Sequence, residues 1–340
     1  MRKLTVAMVG ATGLVGETLL SVLNEREFPI EQLYALASER SAGQSVVFGK
    51  KTLDVLDVAN FDFTGVDIAF FSAGNAVSIE YVPHAVAAGC VVIDNSSAFR
   101  YEADIPLVIP EVNPEQIARY TTRGIIANPN CSTIQMLVAL KPLHDAVGIT
   151  RINVATYQAV SGTGRDAVNE LIAQMGELMN GRPIKKTVAY PKQIAFNVLP
   201  HIDNFEDNGY TREEMKMVWE TQKILNDESI LVNPTTVRVP VLYGHSEAIH
   251  VEFRAPITAA EATRLLKKAP GVLVVDDVKK TKYPTPITHG ADSDLVYVGR
   301  IRDDISHSQG LNLWVVADNV RKGAATNAVQ IAEILQSDYL

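Results

Sequence analysis

The feature that most constrains the fold is a glycine-rich turn near the start of the chain. The apolar residues Leu4–Val9 before it are typical of a strand buried on both faces of a parallel sheet. The turn Gly10–Gly16 follows, and Leu19, Leu20 and Leu23 then share one face of a predicted helix. Glycines here permit a tight turn and let the backbone approach a phosphate group closely. The spacing is GxxGxxG rather than GxGxxG, but its place between a strand and a helix favours a dinucleotide-binding fold.

Further apolar segments continue this alternation of strands and helices. Strands are predicted at Gln32–Ala37, Asp67–Gly74, Val91–Ile93 and Gly124–Ala127, and a helix is predicted over Val77–Ala88. Repeated strand–helix units with right-handed crossovers build a doubly wound parallel sheet. The N-terminal part is therefore predicted to be a Rossmann-type α/β domain.

The residues after the second predicted strand bear on which dinucleotide binds. NAD sites carry an acidic residue near this strand end, where it binds the ribose 2′-hydroxyl group. Here Ser38, Arg40 and Ser41 dominate, and this set suits a 2′-phosphate. Glu39 argues for NAD if its side chain faces the ribose. On balance the segment favours NADP.

Cys131 is the first candidate for chemistry. The strand Gly124–Ala127 precedes it, Asn130 is a good helix N-cap residue, and apolar residues at helical spacing follow from Ile134. Cys131 is thus predicted in the first turn of a helix, where the helix dipole lowers a thiol pKa and favours the nucleophilic thiolate. The alternative is a buried, inert cysteine that packs like a small apolar residue.

Arg100 is the first candidate for anion binding. It lies in a loop that follows the predicted strand Val91–Ile93, beyond the carboxyl end of that strand. Ligands bind at this edge of doubly wound sheets. A surface arginine without a ligand is the alternative, and the position alone does not decide between them.

The pattern changes near residue 149. Ile149–Gln158 alternates polar and apolar residues, which is typical of a sheet with one exposed face. A helix is predicted at Asp166–Met179, and further strands at Thr235–Val241, Glu247–Phe253, Leu295–Ile301 and Leu311–Val316. A second domain with a mixed, largely antiparallel sheet is therefore predicted, followed by a C-terminal helix.

Composition narrows the class of protein. The chain has 340 residues, of which 47% are hydrophobic and 21% charged, as in ordinary soluble proteins of about two domains. A net charge of −8 without a basic run argues against nucleic-acid binding. No apolar run approaches the ~18 residues of a membrane span. Two cysteines, no zinc-like ligand spacing and no room for a signal peptide predict a metal-free cytoplasmic protein.

Four motifs together resemble one family along the whole chain. They are Gly10–Gly16, Asn128–Ser132, Tyr157–Gly162, and Arg238–Val241 followed by Gly244 and His245. In this order they resemble the aspartate-β-semialdehyde dehydrogenases. The resemblance implies a Rossmann-type domain at 1–130, completed by a C-terminal helix at 319–340. It also implies a catalytic and dimerisation domain at 131–318, of the α+β kind found in glyceraldehyde-phosphate dehydrogenase.

The resemblance implies the NADPH-dependent reduction of β-aspartyl phosphate to aspartate semialdehyde and phosphate, and its reverse, by a homodimer or a dimer of dimers. This step leads to lysine, threonine, methionine, isoleucine and diaminopimelate. The implied catalytic residues are Cys131 as the nucleophile, His245 as the acid/base with a pKa near neutrality, and Gln158, which orients the substrate. The implied substrate and phosphate contacts are Arg238 for the α-carboxylate, Glu213 for the amino group, Arg100 and Lys216 for the phosphate, and Asn130. The implied NADP contacts are Gly10, Thr12, Gly13, Leu14, Val15, Arg40, Ser41, Ser161, Gly162 and Asn319.

Alternatives to this assignment remain. From the residues alone, Glu213 and Lys216 equally fit a charged helix start capped by Thr211. A related acyl-phosphate reductase, such as N-acetylglutamyl-phosphate reductase, has a substrate without a free amino group, and Glu213 and Arg238 argue against it. A non-catalytic nucleotide-binding paralogue would have no need of Cys131, Gln158 and His245 together.

Overall fold

The computed structural model describes residues 2–340. The strands are β1 (Leu4–Val9), β2 (Ile30–Ala37), β3 (Ser45–Phe48), β4 (Lys51–Asp57), β5 (Ile68–Phe71), β6 (Val91–Asp94), β7 (Ile125–Ala127), β8 (Ile149–Gln158), β9 (Leu231–Arg238), β10 (His245–Phe253), β11 (Val272–Val274), β12 (Val296–Asp303) and β13 (Gly310–Ala317). The α-helices are α1 (Leu14–Glu25), α2 (Asn75–Ala87), α3 (Cys131–Val147), α4 (Arg165–Met179), α5 (Arg212–Leu225), α6 (Ala259–Leu266) and α7 (Thr326–Asp338). Shorter helical turns lie at Val58–Asn60, Pro114–Thr122, Val160–Thr163, Val278–Lys280, Pro286–Gly290 and Arg321–Ala325.

The chain divides into two compact units. The first runs to Asn130 and includes Ala324–Leu340, and the second is Cys131–Gly323. Residues 318–323 lie between β13 and the second segment of the first unit. The intervening residues follow β13 directly and belong to the second unit.

The first unit contains a seven-stranded sheet in the order β3-β4-β2-β1-β5-β6-β7. All neighbouring pairs are parallel except β3–β4, which confirms the predicted doubly wound sheet. The β3–β4 hairpin was not predicted, because it is an edge element with few buried side chains. Apolar residues of α7 join the core of this unit, among them Val329, Ile331 and Leu335.

The strand order places a ligand-binding edge in the first unit. From β1 the chain moves to β2 on one side, and it later returns to β5 on the other. Ligands bind at the carboxyl ends of strands at such a switch point. The turn at Gly10 follows β1, and Ser72–Gly74 follow β5, so both lie at this edge.

The second unit contains a six-stranded sheet in the order β11-β12-β13-β10-β8-β9. Its centre is antiparallel, while β9 pairs parallel to β8 and β11 parallel to β12, as expected of a mixed sheet. The predicted strand Thr235–Val241 is displaced: β9 ends at Arg238, since the Val241 amide donates to the Val239 carbonyl group in a local turn. Edge position explains why Pro234 is tolerated within β9.

Candidate active site

A cluster of polar side chains occupies one end of the second sheet, where β8 and β9 end and β10 begins. Gln158 is the last residue of β8, Arg238 the last of β9 and His245 the first of β10. Cys131 begins α3, and Glu213 lies in the first turn of α5. Residues far apart in the chain thus meet because parallel and antiparallel neighbours bring their ends to one edge.

Cys131 is the first residue of α3, as predicted, and its side chain is partly exposed. The backbone of Gly323 packs directly against it. A Cβ atom added at Gly323 would lie 2.8 Å from the Cβ atom of Cys131. Only glycine leaves room there for the cysteine side chain. No local sequence pattern indicated Gly323, because Cys131 and Gly323 are the first and last residues of the second unit and are far apart in the sequence.

Gln158 is the centre of the hydrogen-bond network and is almost fully buried. Its Nε2 atom donates to the Ser132 hydroxyl group at 3.0 Å and to Glu213 Oε1 at 3.1 Å. Its Oε1 atom accepts from Arg238 Nη1 at 3.5 Å. Ser132 follows Cys131, so the amide of Gln158 joins the start of α3 to the start of α5 and the end of β9.

The side chains of Arg238 and His245 both lie close to Gly162. The Arg238 guanidinium is held by the carbonyl oxygen of Ala159, at 2.7 Å from Nη1. A Cβ atom added at Gly162 would lie 2.8 Å from Arg238 Nη1 and 3.2 Å from His245 Nε2. Glycine at 162 therefore keeps the guanidinium and the imidazole edge clear of a third side chain. A small anionic ligand fits such a setting, because Arg238 offers a planar fork of donors.

The protonation state of His245 follows from its contacts. The backbone N–H group of Ala159 donates to His245 Nδ1 at 3.0 Å, so Nδ1 is an acceptor and Nε2 carries the hydrogen of the neutral ring. Complete burial, aided by the charge of Arg238, lowers the pKa of His245 to about 3. The expected near-neutral pKa is not found, because a sequence pattern does not reveal burial. Nε2 has no hydrogen-bond partner within residues 2–340.

Helix α5 begins with a capping box that also fixes it to the sheet. Thr211 Oγ1 accepts from the Glu214 backbone at 3.3 Å, and Glu214 Oε2 accepts from the Thr211 backbone at 2.7 Å. This confirms the predicted cap. Glu214 Oε1 also accepts from the Thr236 backbone in β9 at 2.9 Å. Glu214 thus ties the helix that carries Glu213 to the strand that carries Arg238, a role the sequence pattern did not indicate.

Lys216 lies beside two carboxylates. Its ammonium group is 3.1 Å from Glu213 Oε2 and 2.8 Å from Asp203 Oδ2. The i, i+3 spacing places Lys216 and Glu213 on one face of α5. Glu213 therefore bridges Gln158 and Lys216. The Lys216 ammonium group is the cation at the end of this network.

Three of the predicted cofactor contacts lie in the second unit. Ser161 and Gly162 form part of the turn after β8, and Asn319 follows β13. The Asn319 amide contacts the Ser161 hydroxyl group, with 3.0 Å from Nδ2 to Oγ. Its Oδ1 atom accepts from the Gly244 backbone at 3.0 Å. These contacts fasten the turn to the residue that precedes His245.

The remaining predicted site residues lie in the first unit. Arg100 is only 6% exposed and donates from Nη2 to the Asn95 carbonyl group at 2.8 Å, so the alternative of a surface arginine is wrong. Asn130 is buried at the end of the first segment of that unit. Arg40 and Ser41 follow β2 in an exposed turn.

The glycine turn of the first unit fits a bound dinucleotide. Gly10 has φ +90°, and a Cβ atom there would overlap the Ser72 carbonyl group. A Cβ atom at Gly16 would overlap the Gly10 carbonyl group, so both positions require glycine. Helix α1 begins with Leu14 and Val15 after Gly13, which provides no side-chain cap. Thr12 lies in the same turn. The N-terminus of α1 has unpaired backbone N–H groups, which are suited to bind a phosphate group.

Two kinds of feature are absent from residues 2–340. No group of three or more histidine, cysteine, aspartate or glutamate side chains in this range is arranged to hold a metal ion. No helix in the same range is long and apolar enough to cross a membrane.

Two family models match the chain. The model described as semialdehyde dehydrogenase, NAD binding domain, matches residues 5–120. The model described as semialdehyde dehydrogenase, dimerisation domain, matches residues 140–322. Together they cover most of both units.

Similar proteins cover the chain from end to end. An aspartate-semialdehyde dehydrogenase of Legionella pneumophila is 68% identical over 339 residues, which is 100% of this chain and 97% of the relative. The structure of aspartate semialdehyde dehydrogenase II from Vibrio cholerae, complexed with ASA, matches with TM-score 0.98 at 59% identity and full coverage of both chains. The Candida albicans enzyme with NADP matches with TM-score 0.78 at 26% identity, covering 99% of each chain. This chain belongs to the aspartate-semialdehyde dehydrogenase family.

Proposed function

We propose that this protein catalyses the NADPH-dependent reduction of β-aspartyl phosphate to aspartate β-semialdehyde and phosphate, and the reverse reaction, through an acyl-enzyme on Cys131. The observation that carries the proposal is the connected cluster at the end of the second sheet. Ser132, Gln158, Glu213 and Arg238 are joined by hydrogen bonds, and Cys131 begins the helix to which Ser132 belongs.

The substrate groups match the charges of this cluster. The α-carboxylate pairs with Arg238, whose guanidinium is already oriented by the Ala159 carbonyl group. The α-amino group pairs with Glu213. Lys216 and Arg100 are the proposed contacts of the phosphate group. Because Lys216 now contacts Asp203, an incoming phosphate competes with that carboxylate for the ammonium group.

Cys131 forms the covalent intermediate. Its thiolate attacks the acyl carbon, the carbon–sulfur bond forms, the carbon–oxygen bond to phosphate breaks, and the departing phosphate takes up a proton from water. NADPH, when bound, supplies the hydride that reduces the acyl carbon. The resulting thiohemiacetal collapses to the aldehyde and the free thiolate. The helix N-terminus at Cys131 favours the charged sulfur at the beginning and at the end.

His245 acts in this scheme as a neutral hydrogen-bond donor. Its Nδ1 atom is occupied by the Ala159 N–H group, so only Nε2 faces the space beside Gly162. Nε2–H stabilises the negative oxygen that develops on the acyl carbon. This differs from the expected acid/base role, because Nδ1 already accepts from the Ala159 N–H group and Nε2 carries the hydrogen of the neutral ring.

NADP is the proposed cofactor, held by the first unit. The glycine turn and the start of α1 receive the pyrophosphate, and Arg40 with Ser41 receives the 2′-phosphate. Thr12, Gly13, Leu14 and Val15 supply backbone groups at the same turn, and Ser161 and Gly162 are further proposed contacts. The structure of the Candida albicans enzyme with NADP supports this choice. The dimerisation-domain match supports a homodimer as the functional form.

The test of the proposed function is an absorbance assay. Aspartate semialdehyde, NADP and inorganic phosphate are mixed with the protein, and NADPH formation is followed. We expect activity that requires phosphate and is much weaker with NAD. An enzyme that reduces N-acetylglutamyl phosphate but not β-aspartyl phosphate, or one that binds NADP without turnover, would overturn the proposal.

A further inference from the structure

We propose that Asn319 is a positioning residue for His245. The inference rests on the proposed function, since it concerns the imidazole that serves the reaction. It differs from the expectation that Asn319 contacts the cofactor. The basis is the set of hydrogen bonds that its side-chain amide makes within the second unit.

Asn319 holds the backbone immediately before His245. Its Oδ1 atom accepts from the Gly244 N–H group at 3.0 Å. Gly244 has φ +88°, so the chain bends there before β10 begins. His245 pairs with Ala317 at the ends of β10 and β13, and Asn319 lies two residues past Ala317. The Asn319 amide thus fixes the position of the Gly244 peptide group, which immediately precedes His245.

Asn319 also holds the turn that covers the ring. Ser161 Oγ lies 3.0 Å from Asn319 Nδ2 and 3.1 Å from its Oδ1. Ala159 of the same segment donates to His245 Nδ1, and Gly162 lies against the Nε2 edge. The Asn319 side chain therefore holds two segments next to the ring. One is the backbone at Gly244, which precedes His245, and the other is the turn after β8, which contacts both ring nitrogens of His245.

The hydrogen-bonding capacity of Asn319 is largely used in this way. The side chain is buried, with 4% of its surface exposed. Oδ1 and one Nδ2 hydrogen are taken by Gly244 and Ser161, so one Nδ2 hydrogen remains for any other contact. Most of the hydrogen-bonding groups of this side chain are therefore engaged with the protein itself.

Its neighbour Asp318 has a parallel role toward Cys131. Asp318 Oδ1 accepts from the backbones of Val320 and Arg321 at 2.7 and 2.9 Å. The Asp318 carbonyl group accepts from the Gly323 backbone at 2.9 Å. These bonds shape the turn that brings Gly323 against Cys131. The two residues after β13 thus support the histidine and the cysteine from the same point of the fold.

The first experiment compares Asn319→Ala with Asn180→Ala, which makes the same change at the exposed end of α4. Because a misplacement of about 1 Å can cost about 100-fold in rate, we expect kcat to fall by about that factor in Asn319→Ala. The Kd for NADP, measured by fluorescence titration, should stay within about twofold. An unchanged kcat, or a raised Kd for NADP with kcat retained, would overturn the positioning role.

Two milder variants guard against a fold defect. Asn319→Asp keeps an acceptor for Gly244 and lets the Ser161 hydroxyl group donate to it, so it should recover most of the rate. Its added negative charge should raise the pKa of His245, as measured by the pH titration of the ¹⁵N signals of the ring. Ser161→Ala keeps the Gly244 contact and should lose less than Asn319→Ala. Equal losses of kcat in all three variants, with an unchanged His245 pKa in Asn319→Asp, would contradict the inference.

A readout without turnover separates this inference from the proposed function. In protein with ¹⁵N-labelled histidine, NMR should show His245 as the neutral Nε2–H form from about pH 5 to pH 8, and Asn319→Ala should disturb that form. If wild type lacks activity but the His245 signals change in the variant, the proposed function fails and the positioning role stands. If wild type is active and the variant changes neither the signals nor kcat, the positioning role fails alone.

Discussion

Cys90 and Cys131 show how differently the two units treat the same residue. Cys90 follows α2 and Gly89, is 2% exposed, and its thiol donates to the Phe63 carbonyl group. Burial raises its pKa to about 11. Cys131 is partly exposed and begins α3, and the backbone of Gly323 lies close to its Cβ atom. The position of a thiol relative to a helix end and to solvent, rather than its residue type, sets its chemistry.

The largest expected effect comes from removing each cysteine in turn. Cys131→Ala should lower kcat by at least about 10⁴-fold, because the covalent path is lost. Cys90→Ala should keep kcat within about twofold, since that thiol only packs in the first unit. Comparable activities of the two variants in the phosphate-dependent assay would break the comparison.

The next effect tests the space beside Cys131. Gly323→Ala should lower kcat by about 10- to 100-fold, since the added Cβ would lie 2.8 Å from that of Cys131 and must displace it. The control is Gly176→Ala within α4, where nothing lies within 4 Å. The control should keep its activity and gain about 0.5–1 kcal/mol of stability. A Gly323→Ala enzyme with wild-type kcat would show that the close packing of Gly323 against Cys131 is not needed for activity.

Alkylation should then separate the two thiols directly. At about pH 7, iodoacetamide should label Cys131 and leave Cys90 unmodified in the folded protein, as read by peptide mass spectrometry. Equal labelling of both residues would mean that the helix N-terminus and the burial have no effect on thiol reactivity.

The smallest expected effect concerns stability and compares two carboxylates, Glu213 and Glu247, in the way that the two cysteines were compared. Glu213 has Lys216 as its cation, whereas Glu247 is fully buried with no cation at ion-pair distance within residues 2–340. Burial raises the pKa of Glu247 well above its usual value. The folded state therefore keeps the proton while the unfolded chain ionises above about pH 4.5, so stability falls as pH rises, by up to about 1.4 kcal/mol per pH unit.

Glu247→Gln removes this dependence. We expect its urea midpoint to exceed that of wild type at pH 8 and the difference to shrink toward and below about pH 4.5, where Glu247 becomes protonated in the unfolded chain as well. The same substitution at another buried glutamate, Glu214→Gln, is not a suitable control for this effect. Each carboxylate oxygen of Glu214 accepts a backbone hydrogen bond, so that substitution changes more than a charge. A constant difference between Glu247→Gln and wild type across this range would mean that Glu247 is ionised in the folded protein.

Local patterns in the sequence were enough to predict several features. The strand, glycine turn and helix at Leu4–Leu23 depend on neighbouring residues, and so does the placement of Cys131 at a helix start. Both are confirmed. The mixed second sheet was predicted from alternation, although the limits of β9 were displaced because Val239–Val241 form a turn.

The residues that support the site could not be predicted in this way. Glu214, Gly323 and Asn319 act through contacts distant in sequence, such as the 75 residues between Asn319 and Gly244. The state of His245 depends on burial by the turn after β8. Without a measure of three-dimensional contact, these residues look like an ordinary helix cap, a loop glycine and a loop asparagine.

The most direct test of the central claim is the intact mass of the protein after it reacts with aspartate semialdehyde and NADP in the absence of phosphate. Oxidation without a phosphate acceptor should leave an aspartyl thioester on Cys131, seen as one added acyl group in wild type and in Cys90→Ala. Adding phosphate should remove it, and Cys131→Ala should never acquire it. An unmodified wild-type protein that nevertheless turns over, or an adduct that persists in Cys131→Ala, would contradict the acyl-enzyme on Cys131.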